Sequence, residues 1–343
     1  MTEYKNYLRL LMLVMAGCLA SGAAADDFYR GKTLTIIVGF EPGGGYDTYA
    51  RVIARHIGKY IPGQPETQIQ NMPGAGSLVA ATYLYNKVKP DGLTLATWQN
   101  GLVLQQALGS KRVRFDSARF GWIGAASNGF PTCAVMGFSG FDSFADVLDS
   151  KRPIKMGAQR PGSTTNTIPT MLNRVLGTNF KLVQGYKGTS EIRLALQNRE
   201  VEGACFTWES MRVTARAMLD ATGEERLIPV ITQGQADDEE LAHLPRMRTL
   251  ISDPQKRSWF DIWITSFEFQ RPWVAPPDVP AERLQMLRDA FSATIRDTDF
   301  LADAERAGLF IAPLSGEETE QRVNAILALS EETKQALQFL IED

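Results

Sequence analysis

Short runs rich in β-branched residues alternate with amphipathic segments, and after the middle of the chain the alternation begins again. That pattern demands an α/β architecture, with strands paired mostly in parallel and a helix covering each crossing. Residues 34–38 read as the first strand. Tyr49, Val52, Ile53, Ile57 and Tyr60 then recur at helical spacing, and the helix stops at Pro62 and Gly63. Residues 67–70 follow as a strand and 77–87 as a helix. After the turn residues Pro90, Asp91 and Gly92, residues 93–97 form a third strand. The second round places strands at 154–157, 181–183 and 201–206, with helices at 167–176, at 191–198 and through Met218. Residues 115–127 read as the crossing between the two units and 227–232 as the return. The proline-rich stretch 272–280 comes next, then helices at 281–296 and 317–341. A chain of 343 residues, 44% hydrophobic and 22% charged, has the length for two domains of about 100 to 200 residues each. Fibrous and disordered classes are excluded.

The first residues read as an address. Lys5 and Arg9 precede an apolar run at 10–20, and the small residues at 21–25 place Ala23 and Ala25 in an A-x-A pattern, so cleavage after Ala25 is expected. A membrane anchor needs about 20 apolar residues, and this run is interrupted before that. Lipidation at Cys18 is the competing reading, but Met15 suits a lipobox poorly and Arg9 leaves a short apolar lead. Removing residues 1–25 takes Glu3, Lys5 and Arg9 from a chain of net charge −3 and leaves −4. No basic stripe marks a nucleic-acid partner. Export also bears on the cysteines: Cys133 and Cys205 alone remain, and an oxidising compartment permits them to pair. Two buried thiols fit the sequence equally well. No second apolar span of membrane length follows, so any membrane role is expected to come through a partner.

In open α/β sheets ligands bind beyond the carboxyl ends of the strands, where loops lead into helices. The loops at 43–47, 98–101, 158–166, 185–189 and 207–210 all lie at such places, and they line one cleft if the two units face each other. The glycine loop is not a dinucleotide fingerprint: after Gly43 and Gly45, position 48 is Thr. No Gly-Lys-Ser/Thr follows either. What remains is an anion site of bare backbone N–H groups and a helix dipole, with Gly44, Gly45 and Tyr46 at its centre. A glycine turn capped by Asp47 explains the same residues. The stretch GAQRPGSTTNT repeats the logic, with Gly162, Ser163, Thr164, Thr165 and Asn166 at a helix start beside Arg160. One hydroxyl is expected to cap that helix, which leaves the rest to explain. Lys187 offers a second positive charge or is a solvated loop lysine. Tyr46, Trp98 and Trp208 wall a ligand or close small hydrophobic clusters around their loops.

Catalytic signals are missing. The two histidines, His56 and His243, have no nucleophile or partner ligand nearby in sequence, and H-E-x-x-H, C-x-x-C and G-x-S-x-G do not occur. The acidic residues at 237–240 read as a solvated charge run. No cofactor, metal site or catalytic set is expected.

The signatures GFEPGGGYDTYAR (39–51), NMPGAGSLVAATYLYN (71–86), KPDGLTL (89–95), GYKGTSEI (185–192), NREVEGACF (198–206) and LPRMRTL (244–250), in this order, resemble the periplasmic solute receptors of tripartite tricarboxylate transporters, the Bug receptors. The resemblance covers nearly the whole mature chain. It implies a periplasmic-binding-protein type II fold, each lobe a mostly parallel sheet flanked by helices: one lobe from 26–127 and 230–343, the other from 128–229. It implies a monomeric, non-catalytic periplasmic receptor that closes on a small organic carboxylate and hands it to membrane permease subunits. Carried onto this chain, the family's ligand contacts fall on Phe40, Gly44, Gly45 and Asp47 from one lobe, on Gly162, Ser163, Thr164 and Asn166 from the other, and on Tyr186 nearby. The chain departs from the family at Glu41, at Thr165 and Asn166, where histidine is frequent, and at Gly185, where proline is usual. An exported α/β hydrolase acting on a small carboxylate or ester is the alternative function, and it lacks a convincing base.

Overall fold

A computed structural model describes residues 28–234 and 239–342. The leader, its cleavage after Ala25 and the lipidation alternative at Cys18 lie outside the described residues. The strands gather into two sheets. The first has the order β11-β4-β10-β3-β1-β2, built from β1 Thr33–Val38, β2 Glu66–Asn71, β3 Thr94–Thr97, β4 Gly121–Ser127, β10 Gln270–Ala275 and β11 Leu314–Ser315. The second has the order β7-β6-β8-β5-β9, from β5 Pro131–Met136, β6 Ile154–Ala158, β7 Phe180–Gln184, β8 Gly203–Thr207 and β9 Leu227–Thr232.

Helices cover the sheets. The first sheet carries α1 Gly45–Ile57, α2 Leu78–Lys87 and α3 Gly101–Ala107, and the second carries α4 Phe144–Asp149, α5 Thr164–Leu176, α6 Thr189–Gln197 and α7 Trp208–Leu219. The last third supplies α8 Pro254–Thr265, α9 Ala281–Arg296, α10 Thr298–Arg306, α11 Gly316–Leu327 and α12 Glu331–Ala336. Of the apolar residues read on the first helix, Tyr49, Val52, Ile53 and Ile57 are buried in α1, whereas Tyr60 lies beyond its end in a short 3-10 turn and is half-buried. The four buried residues pack with Leu34, Ile36 and Val38 of β1 in one core.

Pairing within each sheet is mixed. β1 runs parallel to β2 and β3, and β6 parallel to β7 and β8. β10 is antiparallel to β3 and β4, as β5 is to β8 and β9. The cause is the chain path. β5 leaves the first sheet where β4 ends, β10 re-enters where β4 ends, and so each starts at the edge where its neighbours finish.

The interval 115–127, read as a crossing, thus contains β4, a strand of the first sheet. The proline-rich stretch contains most of β10, whose pairing with β4 shifts register between Trp273 and Val274. The expected C-terminal helix is divided, because Ser330 Oγ accepts from Thr333 N–H and starts α12 as a separate helix. β9 runs to Thr232, across the expected lobe boundary at 229–230.

Cys133 and Cys205 stand directly opposite each other on β5 and β8 and are joined by a disulfide, S–S 1.98 Å. Both are fully buried. Among the described residues no helix is long and apolar enough to cross a membrane.

Candidate functional site

The carboxyl ends of β1, β6, β7 and β8 lead into α1, α5, α6 and α7. Each of these helices begins behind a residue whose side chain makes no cap: Gly44, Ser163, Gly188 and Thr207. Elsewhere Ser143, Asp253, Asp297, Ser315 and Ser330 cap α4, α8, α10, α11 and α12 with side-chain hydrogen bonds; α2, α3 and α9, behind Ser77, Asn100 and Pro280, have none. An uncapped start leaves backbone N–H groups unspent at the positive end of the helix dipole. Three such groups are used inside the protein, Thr164 N donating to Gln99 Oε1 at 3.3 Å, Asn166 N to Ser163 O at 3.0 Å and Trp208 N to Phe130 O at 2.8 Å.

The four starts line one cavity of about 40 Å³. At about 10 to 15 Å³ per water, that is room for roughly three waters. The first-sheet side contributes Phe40, Glu41, Gly44, Gly45, Tyr46 and Gln99, with Gln270 and Arg271 from β10. The second-sheet side contributes Gln159, Thr164, Thr165, the stretch 188–190, Phe206, Thr207 and Ser210. The two sides are closely apposed. Gln105 Nε2 donates to Gly162 O at 2.9 Å, and Lys187 Nζ lies 3.8 Å from Glu41 across the mouth. A Cβ on Gly45 would lie 2.6 Å from Ser210 Oγ, so α1 and α7 approach as they do only because position 45 has no side chain.

Of the residues expected at the site, Phe40, Gly44, Gly45, Tyr46 and Thr164 line the cavity. Asp47 does not. It is buried, its Oδ2 accepts from Gly43 N at 2.9 Å and Arg51 Nε at 2.8 Å, and its Oδ1 accepts from Asn71 Nδ2 at 2.8 Å. Burial works to raise its pKa, but these donors together outweigh it and hold the carboxyl below the usual range. Asp47 therefore braces the turn around Gly43, whose φ of 81° suits glycine, and leaves the start of α1 open. Ser163 and Asn166 are buried beside the cavity rather than on its wall. Gly162 likewise lies off the wall and accepts from Gln105. No hydroxyl caps α5: at the cap position Ser163 Oγ faces Thr165 Oγ1 at 3.3 Å, and Thr165 Oγ1 accepts from Gln159 N–H at 2.9 Å.

The expected walls and charges are corrected further. Trp98 is fully buried among Phe115, Phe120 and Trp122, and Trp208 is buried in the second-sheet core. Both are packing residues. Tyr186 packs against that same core. Arg160 is exposed, and Lys187 is exposed and engaged with Glu41 and Glu191. Neither supplies the cavity's positive charge.

That charge comes from Arg271, which the sequence reading passed over. It is 1% exposed, with backbone φ of 54°. Nη1 donates to Ser127 Oγ at 2.9 Å and Nη2 reaches Thr207 Oγ1 at 3.5 Å. The guanidinium stacks over Tyr49 at 4.1 Å and lies 5.6 Å from the Tyr46 ring. Among the described residues Nε has no partner. Burial pushes the Tyr46 phenol up to about 12, against the pull of Arg271. It also raises Glu209, at the start of α7, which Arg271 pulls back only in part. Gln99 Nε2, Gln270 Nε2 and Ser190 Oγ are buried without partners as well. A signal was present: Gln270 and Arg271 are polar residues inside the apolar run FEFQRPWVA.

Among the described residues no group of three or more His, Cys, Asp or Glu side chains is placed to hold a metal. No family model matches the sequence. A UPF0065 protein of Agrobacterium vitis is 24% identical over 306 residues, covering 84% of this chain and 78% of the relative. Protein BugT of Bordetella pertussis is 38% identical over 93 residues, 26% of this chain and 28% of the relative. Among solved structures, the periplasmic binding protein BugD superposes with a TM-score of 0.73 at 18% identity, covering 92% of this chain and 99% of its own. MatC of Rhodopseudomonas palustris with bound malate gives 0.68 at 22% identity over 89% and 99%. An R. palustris protein with adipate gives 0.71 at 20% identity over 90% and 97%. Sequence and fold agree on one relationship: the chain resembles the Bug periplasmic solute-binding receptors and has their fold.

Proposed function

We propose that the protein is an exported solute receptor that binds a small organic carboxylate between two lobes and delivers it to the membrane subunits of a tripartite transporter. One lobe is residues 26–127 with 233–343, the other 128–232, which keeps β9 whole in the second sheet. The receptor is a periplasmic monomer, released from its leader after Ala25. The observation that carries this reading is the convergence of four helix starts without side-chain caps on one cavity, two sheets contributing to it. An acidic chain attracts an anion only by local arrangement, and N–H groups at facing helix ends are such an arrangement. Closure removes water and strengthens each of those bonds. The malate and adipate held by structural neighbours fit the same chemistry.

The reading is one of binding without turnover. A hydrolase needs a nucleophile with a base beside it, and neither histidine lines the cavity; His56 faces Asp303 at 3.1 Å on the outside of α1. Mass spectrometry of small molecules carried through purification, followed by thermal shift with a carboxylate panel, tests the proposal. A ligand at a hundred times its Kd adds about 2.7 kcal/mol to stability. A panel of mono-, di- and tricarboxylates that leaves the melting temperature unmoved refutes it.

A further inference from the structure

Arg271 stands apart from every other cation described. In the other ion pairs described the arginine or lysine is itself half-buried or exposed, for example Arg51 with Asp47 and Arg248 with Asp261. Arg271 is buried, lines the cavity and donates to hydroxyls alone. A buried guanidinium left without an anion is costly, and removing its partner typically destabilises strongly. Here the cost is reduced by the Tyr49 ring stacked on it, which holds the charge in place without neutralising it. The backbone adds a second cost, since a non-glycine residue at φ 54° sits in a sparsely populated region. Such strain persists where the surroundings require one side-chain position.

Building on the receptor reading, we propose that Arg271 is the specificity-determining cation of this cleft: its unpartnered Nε and fork take one carboxylate of the ligand, and the helix starts take a second acidic group. Gln270 stands beside it with Nε2 also unpartnered, its Oε1 accepting from Tyr46 OH at 3.4 Å. Two donor side chains adjacent on β10 therefore face the cavity ready to be used. Glu209, the acid nearest in influence, accepts from Phe130 N at Oε1 at 3.1 Å, while its Oε2 is buried without a hydrogen-bond partner; it feels the Arg271 charge, but burial raises its pKa all the same, and the two make no ion pair among the described residues. The fork geometry favours a planar carboxylate over a point anion. A ligand carrying a single acid group would leave either Arg271 or the helix ends unsatisfied.

The test compares acids matched in length, succinate against butyrate and adipate against hexanoate, by calorimetry on the whole protein and its Arg271 variants. With the native protein the better diacid should bind at least about 100-fold more tightly than its monoacid. Arg271→Met should weaken the diacid about 100-fold and the monoacid by less than about threefold. Arg271→Lys, which keeps charge and loses the fork, should fall between. If Arg271→Met does not fold, as judged by its melting curve, Arg271→Lys and Gln270→Leu carry the comparison. Retention of diacid affinity within threefold in a folded Arg271 variant overturns the assignment, as does equal weakening of diacid and monoacid. No acid binding the native protein at all overturns the receptor reading itself, a result visible before any variant is made.

Discussion

Replacing Gly45 by Ala separates two effects that ordinarily travel together, helix stability and cleft closure. Position 45 opens α1 and is not in the left-handed region. By propensity alone alanine should stabilise α1 by up to about 1 kcal/mol. The added Cβ would however meet Ser210 across the cleft, at 2.6 Å from Oγ, 3.1 Å from Cβ and 3.4 Å from Cα. Carbon atoms pack best at about 3.5 to 4.0 Å, so α1 and α7 must part locally by roughly 0.5 to 1 Å. That displacement stretches donor–acceptor distances past the useful range. Losing half of two hydrogen bonds to a charged group, each worth about 1.5 to 3 kcal/mol, costs about 1.5 to 3 kcal/mol of affinity, or 10- to 100-fold in Kd. At a ligand concentration that stabilises the parent by about 2.7 kcal/mol, a 30-fold weaker variant gains only about 0.9 kcal/mol. Calorimetry and melting curves of Gly45→Ala, with and without ligand, give both quantities. Adding Ser210→Gly removes the two short contacts and should restore most of the affinity. An intact Gly45→Ala protein that binds as tightly as the parent would refute the closed arrangement of α1 against α7.

Four further expectations follow from named contacts. Reducing the Cys133–Cys205 disulfide, which spans a sequence separation of 72, should lower stability by about 4.4 kcal/mol on the chain-entropy account; denaturant titration with and without reductant measures it, and coincident curves would contradict it. Glu209 has a folded pKa raised by burial, so the folded state binds its proton more tightly and stability declines as pH rises above the ordinary glutamate range, near 4.3. Glu209→Gln should flatten the fall of melting temperature between pH 4 and 8, and parallel curves would dispose of this. Asp47 is the opposite case, its pKa lowered, so its contribution is present above the ordinary aspartate value and disappears as pH falls; Asp47→Asn should cost about 1 to 3 kcal/mol at pH 7, and an unchanged melting temperature would be the contrary result. Intact mass of the exported protein should begin at Asp26, and a diacylglycerol mass on Cys18 would show lipidation instead.

The parts legible in sequence were those where local pattern and tertiary environment agree. β1 and α1 bury the same apolar positions that their periodicities mark, and β9 spans the residues read for it, 227–232. β4 and β10 were missed because their patterns are broken. β4 reads GWIGAAS, with small residues where Phe291 and Leu314 crowd Gly124. β10 carries Arg271 and Pro272 inside an otherwise apolar run, a composition that argues against a central strand. The site followed the same division. Strand-end loops were placed correctly because topology fixes where helices start, and Gly44, Gly45, Tyr46 and Thr164 lie on the cavity wall. Side-chain direction was not fixed by position in the chain. Trp98 turns into the core, Asp47 turns back onto its own loop, and Arg160 turns to solvent.

Unpartnered polar atoms, strained residues and uncapped helices occur elsewhere in the fold as well, for example at Ser117, Ser139, Gln64 and Asp278, but the cleft gathers several of them around one cavity. Arg271 is a buried cation on strained backbone; Gln99, Gln270 and Ser190 hold polar atoms without partners; the four helices that start at the cleft have no side-chain caps. Each is a cost to the folded chain, of about 1 to 3 kcal/mol for a strained residue or an unpaired buried polar group. Sequences that fold reliably keep such conflicts few and satisfy them elsewhere. All of these line the same 40 Å³ cavity, and on the receptor reading one anionic guest with oxygens at two ends would relieve most of them at once. On the proposed receptor reading, the unsatisfied groups of the cleft are half of a set of hydrogen bonds that a ligand would complete.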